Sequence, residues 1–203
     1  IKNDQLQTEL KFLKSQYHPH FLFNALNTVY FQIDESNKAP RRTLEMISEL
    51  LRYQLYGGNQ KVSILQEIDY LKTYIALRKL RMSERLRLRV EFPPELNELN
   101  IYPLLFLPLV ENAFKYVGGD YQLDIIMKWE NNRISLFIRN SIPELSAEDE
   151  ALRKSVDERQ RKGIGLVNLR RRLSLLYPNK HRLETRKEET EFVAELMIEI
   201  EDI

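Results

Sequence analysis

Leu6, Leu10, Leu13 and Tyr17 recur at alternating spacings of four and three, the seam of a helix that packs against partner helices. Pro19 interrupts that stalk, because its ring lacks the N–H that would bond the Ser15 carbonyl and clashes with it. Beyond it the apolar set becomes Leu22, Leu26, Val29 and Ile33, widened by Phe23 and Tyr30, so the seam moves to another face. Ala39-Pro40 restarts a helix whose stripe is Leu44, Ile47, Leu50, Leu51 and Leu55, and Gly57-Gly58 ends it. A two-helix hairpin buries little by itself, which predicts pairing with a second copy as a four-helix bundle. Ser63-x-x-Gln66 has the form of a capping box and opens a third helix through Ile68, Leu71, Ile75 and Leu80.

After Ser83 the period falls to two: Leu86, Leu88, Val90 and Phe92 alternate with charged residues as in a half-buried strand. The change marks a domain boundary, dividing the chain into 1–83 and 84–203. Alternation returns at Tyr121, Leu123, Ile125, Met127 and Trp129, at Ile134, Leu136 and Ile138, and at Phe192, Ala194, Leu196, Ile198 and Ile200, with Asn131-Asn132 as a hairpin turn. Helical stretches at 105–117 and 165–177 lie between these strands. The fold class is therefore α+β, a helical hairpin followed by an α/β sandwich with helices on one face of a mixed sheet.

Composition narrows the partners. Lys and Arg total 31 against 30 for Asp and Glu, so no surplus of charge points to nucleic acid or an anionic membrane. With 43% hydrophobic residues the chain can bury a core, and zero cysteines remove disulfide and thiolate chemistry. The longest apolar stretch, Leu104–Val110, contains Pro108 and is far short of the ~20 residues of a membrane span. The chain begins at Ile1 inside a helical pattern, so the expectation is a piece of a larger protein.

At ~100° per residue, Asn24 and Asn27 fall within about 40° of His20, while Leu22, Leu26, Val29 and Ile33 cluster on the opposite side. A lone helical histidine is commonly a satisfied core residue, but this projection leaves His20 open as a nucleophile. His18 projects toward the stripe, so His20 is preferred. Gln16, Pro19, His20, Phe21, Leu22, Phe23, Asn24, Leu26 and Asn27 together resemble the phosphoacceptor motif of LytS/YehU-like sensor histidine kinases. The resemblance implies that His20 accepts a phosphoryl group. Phe21 stands where many histidine kinases carry an acid, and Asn24, one turn along, is placed to orient the ring or simply to meet solvent.

Farther along, Glu111, Asn112 and Lys115 share one helix face, with Leu109, Val110, Ala113, Phe114 and Val117 on the other. The plain reading is a surface Glu111–Lys115 pair; the alternative is an amide for hydrated Mg²⁺, a cation for phosphates and a carboxylate. PLVENAFKY resembles the Asn-containing box of the GHKL ATPase superfamily, which implies Mg²⁺ on Asn112 and supporting roles for Glu111, Lys115 and Tyr116. Gly163-Ile164-Gly165 precedes a helix carrying Leu166, Leu169, Leu173 and Leu176 inward. By itself it is an ordinary loop-to-helix turn. In this order and company GIGLVNLRRRL resembles the second glycine box of these kinases, implicating Gly163, Gly165, Leu166 and Asn168 in nucleotide binding and matching as far as Arg172. The charged segment Pro143–Lys162 reads as a lid or a solvated loop, with Arg161 and Lys162 available to phosphates. Two positions depart from the pattern: Asn140 stands where GHKL kinases carry the adenine-reading aspartate, and Tyr116 where a histidine is frequent. An amide oxygen still accepts a hydrogen bond.

The resemblance implies a GHKL (Bergerat-like) ATP-binding domain and a homodimer in which ATP–Mg²⁺ phosphorylates His20 with Glu111 assisting, and the helical position of Asn24 adds it as a candidate catalytic residue. A response regulator, of LytTR type by family resemblance, then takes the phosphoryl group. It also implies the cytoplasmic part of a bacterial inner-membrane protein, whose sensor and membrane anchor lie in a region preceding Ile1. Two rivals stay open. One is a dimeric nucleotide-binding adaptor without phosphotransfer. The other is a GHKL kinase acting on Ser or Thr, which leaves the His20 motif unexplained.

Overall fold

The computed structural model describes residues 19–56, 60–94, 96, 99–143 and 164–200. The chain divides into two compact units, Ile1–Gly57 and Gly58–Ile203. The stalk seam, His18, the Gly57-Gly58 stop and all but Pro143 of the lid lie outside the described residues.

The first unit is a helical hairpin of α1 (Pro19–Gln32) and α2 (Lys38–Tyr56). Met46 and Leu50 of α2 are its buried residues, and Phe23 stacks on Tyr56 with ring centroids 6.3 Å apart. Arg41 closes the turn: its guanidinium donates to the Ile33 carbonyl at 2.9 and 3.1 Å and lies 4.8 Å from the Tyr30 ring centroid. One side chain thus satisfies a carbonyl just past the end of α1 and covers an aromatic face. Leu22, Leu26 and Ile33 are half-buried as the stripe requires, whereas Val29 remains 46% exposed. At ~100° per residue Val29 lies at the margin of the face that meets α2.

The second unit runs β1 (Val62–Ser63), α3 (Ile64–Lys79), β2 (Arg87–Glu91), β3 (Asn100–Ile101), α4 (Leu107–Tyr116), β4 (Gln122–Glu130), β5 (Arg133–Ser141), α5 (Ile164–Leu176), β6 (His181–Lys187) and β7 (Glu191–Glu199). Five strands form one mixed sheet in the order β2-β4-β5-β7-β6, with β2 parallel to β4 and the rest antiparallel; β1 and β3 pair separately. Register places Ile125, Ile138 and Ala194 side by side on the face that the helices cover. Asn131 and Asn132 turn the β4–β5 hairpin with φ of 51° and 59°, the doubly left-handed turn that matches strand twist. Ser63 caps α3 through the full box: its hydroxyl accepts from Leu65 N, while Gln66 Oε1 accepts from Ser63 N at 3.1 Å.

Three expectations change. Helix α3 belongs to the second compact unit, packing on α4 and β3, so the division falls at Gly57 rather than at Ser83 where strand periodicity begins. Leu80 is the C-cap of α3 and 64% exposed instead of continuing its buried stripe. Strand β6 was not anticipated: HRLETRK sits at the sheet edge, where only Leu183 is buried and no apolar alternation is needed. Among the described residues no helix is long and apolar enough to cross a membrane.

Candidate functional site

In the hairpin, His20 and Asn24 lie on the exposed side of α1, one turn apart. The Asn24 amide nitrogen is 3.1 Å from His20 Nδ1, so the ring is held by one nitrogen, and among the described residues the other meets no hydrogen-bond partner. The i,i+4 spacing produces this contact, and Thr28 extends the column by donating to the Asn24 carbonyl at 2.9 Å.

The second unit brings the other candidates onto adjoining elements, since α4 packs against both β5 and α5. Pro108 in the first turn helps start α4. Leu107, Leu109, Val110, Ala113 and Phe114 anchor it, which leaves Glu111 and Lys115 exposed and Asn112 half-buried. Lys115 does not serve as the ion-pair partner expected for Glu111; its ammonium lies 5.1 Å from the Tyr116 ring centroid. Lost hydration pushes the Glu111 carboxyl above its usual range, and the Arg78 charge partly pulls it back. Tyr74, one turn before Arg78 on α3, is raised by the same loss of hydration and then by the Glu111 charge.

Asn140 closes β5 and is 1% exposed. Its Nδ2 donates to the Ser141 carbonyl at 3.2 Å, but its Oδ1 has no hydrogen-bond partner among the described residues. A buried acceptor left open in this way is costly unless a ligand or water supplies the donor. The neighbouring Ser141 hydroxyl donates to the Gly118 carbonyl at 2.6 Å and accepts from Gln122 N at 2.9 Å, tying the loop after α4 to the end of β5. A side chain at Gly118 would put its Cβ 2.9 Å from Pro143 Cδ, so that loop requires a glycine. At Gly165, by contrast, a Cβ would meet nothing within 4 Å, leaving backbone open to a close approach. Leu166 is half-buried and Asn168 exposed, while Gly163 lies outside the described residues.

A family model described as Histidine kinase matches residues 8–86. Sensor protein kinase HptS of Staphylococcus aureus (strain USA300) is 29% identical over 180 residues, covering 86% of this chain and 35% of the relative. The segment 8–86 is thus similar to the histidine kinases, and most of the chain is similar to a sensor protein kinase. The chain spans about a third of that relative's length. Full-length ShkA in complex with AMPPNP has a TM-score of 0.50 at 13% identity, covering 95% of this chain and 46% of that one. The histidine kinase domain of a blue-light activated kinase from Erythrobacter litoralis EL346 has a TM-score of 0.47 at 13% identity, covering 98% and 94%. At these identities the likeness concerns fold alone.

Sequence reasoning missed what two polar residues, Glu67 and Arg172, do behind α4. Glu67 of α3 is fully buried and accepts from Leu104 N at 2.9 Å, and Arg172 of α5 donates to the Pro103 carbonyl at 2.8 Å. A signal existed: Glu67 sits within the stripe of Ile64, Ile68 and Leu71, where a charge has no place without a partner.

Proposed function

We propose that this chain is the catalytic core of a two-component sensor kinase that transfers the γ-phosphoryl group of ATP to His20 and then to a response regulator. What supports the reading most directly is His20 itself, exposed on its helix with Asn24 at 3.1 Å. With the Asn24 amide turned so that its oxygen accepts from Nδ1–H, the Nε2 lone pair attacks phosphorus, a P–N bond forms, the bond to the β–γ bridging oxygen breaks, ADP leaves, and the Nδ1 proton passes to solvent. Transfer of this kind needs alignment and charge neutralisation more than covalent help.

For the nucleotide, Asn140 Oδ1 is a buried acceptor suited to an exocyclic amino group, and Gly165 leaves backbone that phosphates can approach. Lys115 supplies a cation beside the Tyr116 ring, and Leu166 and Asn168 stand in the first turns of α5. Asn112 and Glu111 fit a hydrated Mg²⁺, a hard ion that keeps its waters and takes one or two protein oxygens beside phosphate. That ion would neutralise charge on the transferred group. The LytTR type of regulator and a homodimer belong to the same proposal.

Incubation with γ-labelled ATP tests it. Acid-labile label lost in His20→Gln and Asn112→Ala but kept in His18→Gln is the expected result. A folded dimer that takes no label at any Mg²⁺ or ATP concentration would sink the kinase reading in favour of an adaptor.

A further inference from the structure

We propose that Glu67 is a positioning residue for the nucleotide site on α4, acting through the left-handed backbone of Leu104; the nucleotide part rests on the ATP reading above. Leu104 has φ of 58°, a conformation that a leucine Cβ disfavours and that nothing in its side chain stabilises. It persists because both sides of its backbone are held. Glu67 Oε2 accepts its N–H at 2.9 Å from α3. Arg172 of α5 donates to its carbonyl at 3.4 Å and to the Pro103 carbonyl at 2.8 Å. Two residues earlier, Tyr102 N donates to the Tyr177 hydroxyl at 3.2 Å.

This clamp grips the chain just before α4. Leu105 and Phe106, both fully buried, follow immediately, and Leu107 is the first helical residue. No side chain caps α4, so the direction of entry comes from the clamped turn rather than from a local capping bond. Glu111, Asn112 and Lys115 lie within the next turns, where a small change of entry angle moves their polar atoms away from a bound nucleotide. Glu67 stands on α3, not on α4, and accepts from the Leu104 N–H. Its carboxylate acts through the turn, and the same carboxylate connects that turn to α3, the helix that follows the hairpin in the chain.

The decisive comparison is between Glu67→Leu, which removes the acceptor at similar volume, and the same change combined with Leu104→Gly. Binding of a fluorescent ATP analogue with Mg²⁺ to the full chain is one readout, and hydrogen exchange of amides 104–110 is the other. Glu67→Leu weakens binding about tenfold or more and speeds exchange at these amides, while β5 amides stay protected. Glu67→Gln, which keeps an acceptor, retains most of the affinity. Leu104→Gly alone binds like the wild type. The double variant recovers most of the loss, because glycine adopts this φ without being held. A carboxylate that merely stabilises the fold would gain nothing from glycine at 104, so loss without rescue overturns the proposal, as does unchanged binding and exchange. If Glu67→Leu fails to fold, Glu67→Asp withdraws the oxygen and is expected to give the same loss and rescue. A wild-type chain that binds no nucleotide fails the ATP reading, and exchange then decides whether Glu67 holds the entry to α4.

Discussion

Asn24 decides which nitrogen of His20 carries the proton. With its amide nitrogen facing Nδ1, as the 3.1 Å contact has it, a neutral ring keeps its proton on Nε2. Turning the amide by half a rotation presents Oδ1 instead, moves the proton to Nδ1 and frees the outward Nε2 lone pair for attack. Phe21 stands next in the chain and offers no carboxylate for this task, so the proposed reading gives the orienting role to Asn24. Asn24→Ala is expected to slow phosphorylation about tenfold or more with nucleotide affinity unchanged, while Asn24→Asp, an acceptor only, preserves the rate; initial rates of acid-labile labelling decide it. Glu111 supplies a pH argument. Its folded-state pKa lies above the usual 4.5, so between 4.5 and that raised value the folded chain holds a proton the unfolded chain has lost, and its contribution to stability falls as pH rises. Glu111→Gln should therefore raise the urea midpoint slightly at pH 7 and not at pH 4, while reducing phosphorylation about a hundredfold. An equal shift at both pH values would refute the desolvation account.

At the scale of elements, local chemistry shows where each begins and tertiary chemistry shows how it is held. The Ser63–Gln66 box predicts that Ser63→Ala destabilises the sheet-bearing unit by about 1 kcal/mol, followed in urea by Trp129 fluorescence. Box, hairpin turn and four strands were legible because each leaves a short-range trace: a capping spacing, two asparagines that tolerate positive φ, a period of two against a dry face. Strand β6 leaves no such trace, since an edge strand with one buried leucine resembles a solvated loop. Leu104 was unreadable for the opposite reason. Leucine has no preference for left-handed backbone, and its conformation is imposed by Glu67 and Arg172, from helices far apart in the chain. The site followed the same division. Helical spacing put His20 beside Asn24 and Glu111 beside Asn112, and the resemblance of their motifs marked Asn112 and Asn140; that the Asn140 acceptor is buried and open required knowing that β5 ends inside the core.

At the scale of the whole molecule, the described hairpin leaves large apolar side chains in water. Phe21 is 74% exposed and Val29 46%, and with Ala25 they form a second stripe at i, i+4, i+8 beside the face that meets α2. Water is an unfavourable neighbour for such a stripe, and a second copy related by two-fold symmetry would cover it with its own. A net charge of +1 spread over 203 residues adds little long-range repulsion against that approach. Val29→Glu tests the seam. Each copy forfeits about 1.5–3 kcal/mol of valine burial, and the two added carboxylates must be desolvated or remain in water. The combined loss exceeds about 3 kcal/mol, which corresponds to roughly a hundredfold or more in dimer dissociation constant. Light scattering over a dilution series should show monomer where the wild type stays dimeric, and labelling of His20 should fall in the same range. The urea transition of the sheet-bearing unit should not move, because Val29 belongs to the other compact unit. A dimer unaffected by Val29→Glu would place the seam on another face of the hairpin. A monomer with full labelling would instead remove the second copy from phosphoryl transfer.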